Sequence, residues 1–277
     1  MINLFNYIDR PSPIHKLTGA TKLICTILWT FAAMVTYDTR LLILMPVVSF
    51  LLFRVSKIRF KDVKVMLIAT FIFMVMNNLT VYLFSPQHGC SIYGTKHVIF
   101  GGDARYALTQ EQLFYHLNLI LKYLSQIPMI LLFITTTDPS EFAASLNKVG
   151  VSYKISYAVA LTLRYIPDIQ REYADISQAQ QARGIEMSKK ESLVNRLKSA
   201  STILIPLIMS SMDRIEVISN AMELRGFGKQ KKRTWYVERR FLKWDHISII
   251  GCAILFAVSV IGIFLNGSRF YNPFIGG

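Results

Sequence analysis

The chain has 277 residues, 52% of them hydrophobic and only 17% charged, a balance that sets aside an ordinary soluble enzyme and points to an integral membrane protein. Its formal charge of +14 suits nucleic acid or anionic lipid, so the decisive question is which connections hold the lysines and arginines. Cys25, Cys90 and Cys252 are scattered, without the spacing of a disulfide framework or a zinc site, and read as packing residues.

Met1 to Leu17 carries Asp9, Arg10, two prolines and His15 where a signal peptide has an apolar core, so insertion is expected to rest on later helices. Apolar runs follow at Leu23–Tyr37, Leu41–Phe53, Val63–Phe84, Leu113–Ile134 and Ile247–Leu265, which predicts about five spans. The first two are short against the roughly 20 residues of an untilted crossing and read as a tight hairpin turning at Asp38-Thr39-Arg40.

The connection after the second run carries Arg54, Lys57, Arg59, Lys61 and Lys64, whereas the longer Ser85–Gln112 segment has only Lys96 and Arg105. Positive charge favours the cytoplasmic side, which places the first connection and the N-terminus inside and the second connection outside. The same parity puts the tail after Leu265 outside. Within the spans, Asn77, Asn78, His116, Asn118, Lys122 and Gln126 need polar partners. Hydrogen bonding between helices is the preferred reading, with a solute path as the alternative.

Thr135–Lys243 is too long for a loop and is basic, so it is expected to be helical and cytoplasmic. Asp138-Pro139-Ser140-Glu141 predicts a helix start, with that helix ending near Asn147 to Gly150. A second helix is predicted from about Ser152 to Arg183 and a third from about Leu193 to Arg225. Their apolar stretches, Ile155–Pro167 and Thr202–Met212, are too short to span, and Pro167 and Pro206 should bend or locally break the two helices. Arg164, Asp168, Arg171 and Asp175 form a solvated face of alternating sign. Lys229, Lys231, Lys232 and Arg233, with Arg239 and Arg240, read as an anchor to anionic lipid. Trp29, Trp235, Tyr236 and Trp244 are expected at membrane interfaces.

Both long helices end in the same nine-residue pattern: Ile176-Ser-Gln-Ala-Gln-Gln-Ala-Arg183-Gly184 and Ile218-Ser-Asn-Ala-Met-Glu-Leu-Arg225-Gly226. An arginine in the last turn, followed by a glycine that supplies the left-handed stop, projects a planar guanidinium fork from the helix end. Two such ends in one chain predict a paired docking device. Nothing in the chain reads as an active centre. His15, His88, His97, His116 and His246 fall on separate segments, and no glycine loop ending in Gly-Lys-Ser or Gly-Lys-Thr is present for ATP.

Further motifs accompany the Arg-Gly ends. Near the N-terminus stand Asp9-Arg10-Pro11-Ser12-Pro13-Ile14-His15-Lys16-Leu17 and Thr21-Lys22-Leu23, followed later by Leu163-Arg164-Tyr165-Ile166-Pro167, Ala182-Arg183-Gly184 and Ala221-Met222-Glu223-Leu224-Arg225-Gly226-Phe227. Together they resemble the transmembrane T component, the EcfT or CbiQ type, of energy-coupling factor (ECF) transporters, which are ABC importers for vitamins and metal ions. Two departures from the family pattern are the inserted Arg10-Pro11 and a leucine in place of alanine before Arg225, and the Ser85–Gln112 segment is longer than the compact form.

The resemblance implies that Ala182, Arg183, Gly184, Leu224, Arg225 and Gly226 dock on two ABC ATPase subunits. It also implies a substrate-binding membrane S subunit as a further partner, with Ile155–Pro167 and Thr202–Met212 forming the sliding contact. ATP would be bound by the partner subunits, with no cofactor in this chain, and the bilayer rather than nucleic acid would take the basic surface.

The expected fold is an all-α integral membrane protein of about five transmembrane helices plus one short and two long cytoplasmic coupling helices. Residues 1–134 would form a membrane bundle, 135–243 the coupling region and 244–277 a final span with an outside tail. The expected setting is the plasma membrane of a prokaryote, with the N-terminus and coupling helices cytoplasmic. A conventional ABC importer permease, which forms the solute path itself, is the alternative. Such a chain docks through one loop helix carrying Glu-Ala-Ala, and that segment is missing here.

Overall fold

A computed structural model describes residues 7–8, 10–100, 106–184, 193–230 and 234–274, without the side chains of 193–199. Asp9, Arg105 and the basic residues Lys231, Lys232 and Arg233 lie outside the described residues. The chain divides into two compact units, one formed by Met1–Asp138 with Arg239–Gly277 and the other by Pro139–Glu238.

The first unit holds helices α1 (Pro13–Lys16), α2 (Gly19–Val35), α3 (Thr39–Val55), α4 (Lys64–Phe84) and α5 (His88–Tyr93), then strands β1 (Val98–Phe100) and β2 (Leu108–Thr109), and then α6 (Gln110–Thr136). Among the described residues, α4, α6 and α10 (Lys243–Leu265) are long and apolar enough to cross a membrane. Helices α2 and α3 have 17 residues each, about 26 Å of helix against about 30 Å of hydrocarbon. The chain is an all-α membrane protein carrying one very small antiparallel hairpin.

Helix α6 is the hub of this unit: α2, α3, α4 and α5 all pack on it, and α2 also packs on α10. Its buried residues Tyr115, Asn118, Ser125, Met129, Leu132 and Thr136 recur at one- and two-turn spacings, which turns a stripe of small and polar groups toward its neighbours. Helix α4 buries only Met74 and exposes Phe71, Phe73, Met76 and Leu79, as expected of a helix whose surroundings are hydrocarbon. The expected α2–α3 hairpin has its tight turn, where the Asp38 carboxylate accepts from the Arg40 amide at 3.0 Å. The two helices nonetheless pack mainly on other elements, α2 on α10 and α6 and α3 on α6.

At one end of the unit the N-terminal segment laces several elements together. Arg10 donates to Asp62 at 2.7 Å and to the Lys57 carbonyl at 2.5 Å, which holds the α3–α4 connection. Asp245, fully buried in the first turn of α10, accepts from the Thr18 amide at 2.9 Å, the Thr18 hydroxyl at 3.2 Å and the Leu242 amide at 2.7 Å. Lys22, only 4% exposed, donates to the Thr136 carbonyl at 2.7 Å, a cation set against the carbonyl end of α6.

The opposite end is more structured than a plain outside segment. Gly89 on α5 lies so close to α6 that an added Cβ would sit 2.6 Å from the Glu111 carbonyl, and its amide donates to the Gln112 side chain at 2.7 Å. The buried Glu111 carboxylate accepts from the Thr95 hydroxyl at 2.9 Å and the His97 amide at 3.0 Å. The chain after Leu265 returns to this end: Asn272 donates to the Tyr93 carbonyl at 2.9 Å, and Arg40 to the Tyr271 hydroxyl at 2.9 Å.

The second unit contains α7 (Pro139–Lys148), α8 (Tyr153–Ala182) and α9 (Leu193–Leu224), with α8 packed on both others. Ser152 caps α8 by accepting from the Ile155 amide. The aromatic residues expected at interfaces differ in their surroundings. Trp29 is 3% exposed and donates to the Ser125 hydroxyl at 3.0 Å inside the bundle, while Trp235 belongs to an aromatic cluster of the second unit; Tyr236 and Trp244 are exposed.

Candidate docking site at two arginine-glycine helix ends

Each long helix stops one residue before its arginine, a shift from the last turn to the cap position, and the following glycine is left-handed: φ is +85° at Gly184 and +67° at Gly226. A side chain is disfavoured in that conformation, which explains why glycine occupies both stops. After α9 the Gly226 amide donates to the Glu223 carbonyl at 2.8 Å and the Phe227 amide to the Met222 carbonyl at 2.9 Å, the two bonds of a Schellman stop. After α8 the Gly184 amide makes the corresponding bond to Gln181 at 2.9 Å. Ala182, Arg183, Gly184, Leu224 and Arg225 are exposed, Leu224 at 89%, and Gly226 is half-buried.

Three separate contacts show α8 and α9 to be antiparallel. Gln180 donates to the Thr202 carbonyl at 3.4 Å, Arg214 donates to Glu172 at 3.0 Å, and Phe227 packs on Tyr157 at 4.8 Å between ring centroids. The Arg225-Gly226 end therefore lies beside the start of α8, and the Arg183-Gly184 end lies at its finish. Helix α8 has 30 residues, so the two ends are separated by about 45 Å of helix.

Tyr153, Tyr157, Phe227 and Trp235 form the aromatic cluster that seats the Arg225 end, and Trp235 donates to the Asn147 side chain at 3.2 Å. None of these residues stood out in the sequence as a site support. Phe227, directly after Arg-Gly, was the one available signal.

Pro167 and Pro206 lie inside unbroken helices. The apolar stretches differ in exposure. Leu204, Ile205, Ile208, Met209 and Met212 of α9 are exposed, and Ile215 continues their face, whereas most of Ile155–Pro167 is half-buried. On the charged face Arg171 meets Asp168 at 3.8 Å, but the link between helices is made by Glu172, which sequence spacing did not single out.

The polar residues of the spans mostly satisfy one another. His116 is bonded to Asn78 at 2.9 Å, Thr39 donates to Asn118 at 2.8 Å, and Lys122 donates to the Met34 carbonyl at 3.2 Å with its ammonium over the Tyr37 ring. These bonds join α6 to α4, α3 and the end of α2. They support the inter-helix reading over a solute path.

An all-helical membrane bundle joined in one chain to an antiparallel pair of long helices with exposed Arg-Gly ends defines a membrane-embedded protein that carries a second, helical unit. The family model described as "CbiQ: Cobalt transport protein" matches residues 10–236, more than half of the chain, and the chain belongs to this family.

A relative from Streptococcus equi subsp. equi is 28% identical over 281 residues, covering 95% of this chain and 94% of its own. A second, from Clostridium kluyveri, is 24% identical over 272 residues, covering 94% and 96%. A third, from Staphylococcus aureus, is 34% identical over 109 residues, 39% of each chain. All three carry the name "Energy-coupling factor transporter transmembrane protein EcfT".

Proposed function

We propose that this chain is the transmembrane coupling subunit of an ECF-type ABC importer, holding two ATPase subunits at its two Arg-Gly ends. The observation that carries this reading is their placement: matching glycine-stopped ends, each presenting an arginine, at opposite ends of one antiparallel helix pair. A guanidinium fork binds carboxylates or carbonyls in two places and stays charged when partly buried, which suits it to anchor a helix end on a partner.

The ATPases bind ATP and this chain binds no cofactor and performs no catalysis. Closure of the ATPase pair moves the two ends, and α8 and α9, which flex at Pro167 and Pro206, carry that motion to a membrane subunit that binds the substrate. The exposed stripe of Leu204, Ile205, Ile208, Met209 and Met212 supports an apolar contact there. A nucleotide shifts the assembly only through its different contact energies in the two ATPase states. The substrate is a vitamin or metal ion recognised by that separate subunit. The setting is the plasma membrane of a prokaryote, with five crossings, the N-terminus and the second unit cytoplasmic and the tail after α10 outside.

Co-purification tests the proposal. A tagged chain co-expressed with its host's ABC ATPase subunits retains them in detergent, and an Arg183→Glu, Arg225→Glu double variant that still inserts in the membrane loses them. Equal retention would reduce the two ends to helix caps. Failure of the unaltered chain to retain any ATPase would overturn the assignment.

A further inference from the structure

The first unit contains a cavity of 330 Å³ between α2, α3, α6 and α10 that no step of the coupling mechanism uses. Its walls include Ile14, Leu17, Val48, Leu52, Met129 and Leu132, with the buried indole of Trp29 at its deep end. Cys25 on α2 and Cys252 on α10 also line it. An apolar cavity of roughly 150 Å³ stays dry and takes up benzene, so a hydrocarbon occupant suits this larger one better than water does.

Three observations specify the occupant. First, the cavity has a mouth: Gly251 lines it and is exposed, and open space lies where its Cβ would be, on a helix whose outer face is apolar. For a helix that crosses the bilayer, what stands at such a mouth is lipid. Second, the lining is graded along its length. Thr21, Lys22 and Ser248 stand near the starts of α2 and α10, whereas Trp29 and Leu255 lie deeper, and Thr21 to Trp29 is about 12 Å of helix. Third, the polar end carries positive charge, with Lys16 and Lys243 exposed and Arg239 donating to the His15 carbonyl at 3.3 Å. A phosphate above and a hydrocarbon chain below match that gradient.

We infer that this cavity is a binding slot for one acyl chain of an anionic membrane phospholipid, entered past Gly251 and ending against Trp29. The lipid fills the space between α2 and α10 and completes their packing. Its phosphate sits among the cations at the starts of those helices.

Trp29 is a built-in reporter, because bromine atoms on an acyl chain quench tryptophan only on contact. The full chain with Trp235→Phe and Trp244→Phe, which leaves Trp29 alone, is reconstituted in phosphatidylglycerol vesicles with either plain or mid-chain dibrominated acyl chains. The expected result is loss of most Trp29 emission in the brominated vesicles. Gly251→Leu and, separately, Ser248→Leu fill the mouth and restore it, while Ala253→Leu on the exposed face of α10 leaves the quenching in place.

Equal emission in the two vesicle types would overturn the proposal, as would quenching that survives both filling variants. Efficient quenching of Trp29 by acrylamide from the aqueous phase would show a water-filled cavity and overturn it as well. Brominated phosphatidylcholine quenching as strongly as brominated phosphatidylglycerol would remove the anionic headgroup from the assignment.

Discussion

Glu172 of α8 and Arg214 of α9 meet at 3.0 Å, and Ser210, one turn earlier on α9, donates to the other oxygen of the same carboxylate. One acidic side chain thus holds two points of the neighbouring helix, well inside the span between the Arg-Gly ends.

That fastening is partly exposed, at 20% for Glu172 and 35% for Arg214, so its energetic worth is about 1 kcal/mol or less. Glu172→Gln is therefore expected to leave the chain folded and the ATPases bound while loosening the α8–α9 crossing. Hydrogen exchange should rise in α9 around Ser210 and Arg214, and ATP-driven uptake should fall. Unchanged exchange there would mean that packing alone sets the crossing.

Reversing the arginines one at a time separates the two proposed docking ends. Truncating a central interface arginine commonly costs about 2 kcal/mol, roughly a thirtyfold loss of affinity. Arg183→Glu and Arg225→Glu should each weaken one ATPase site at least that much and leave the other intact. Native mass spectrometry of the purified assembly would read this as a shift from two bound ATPases to one. Loss of both from either single variant would show that the ends act together.

Pro167→Ala and Pro206→Ala each restore a backbone N–H and relieve a ring clash inside a long helix. Helicity and ATPase retention should hold or improve, while transport coupled to ATP hydrolysis falls. Uptake at the unaltered rate would remove flexing at these prolines from the mechanism.

Asp245→Ala leaves the buried Thr18 amide and the more exposed Leu242 amide without their acceptor. The lost acceptor of the buried Thr18 amide costs on the order of 1–3 kcal/mol, so a drop of about 2 kcal/mol in bundle stability is expected. A thermal melt in detergent measures it, and Asp245→Asn, which keeps one carbonyl oxygen, should recover part of the loss. No change in melting would show that water reaches these amides.

Gly89→Ala places a Cβ 2.6 Å from the Glu111 backbone, a clash with backbone on a neighbouring helix that no rotamer change relieves. A loss of about 1–3 kcal/mol follows from such overpacking. The accompanying signature is separation of α5 from α6, read as greater exchange at the Gly89 amide. Gly251→Ala, where nothing stands within 4 Å, serves as the control and should melt normally.

What the sequence revealed follows from how local each signal is. The stops at Gly184 and Gly226 and the extents of α8 and α9 depend on a few neighbouring residues, and they lie within a residue of expectation. The Asp245–Thr18 bonds join residues 227 positions apart, and Lys22 to Thr136 spans 114, so neither left a pattern to read. Strands β1 and β2 have three and two residues, too short for any alternation to show. Trp29 and Trp235 were placed at interfaces because aromatics favour them. The hydrogen bonds that hold these two residues come from Ser125 and Asn147, on other helices.

The bond between Thr18 and Asp245 also constrains how the protein is made. Helix α2 emerges early in synthesis, yet its partner α10 follows only after the whole second unit has been translated. Until then the face of α2 that carries Cys25 and Trp29 must wait in the bilayer without its closing helix. The unit bearing Arg183 and Arg225 can therefore fold before the membrane bundle is sealed. Insertion of α10 is then the step that closes the face of α2.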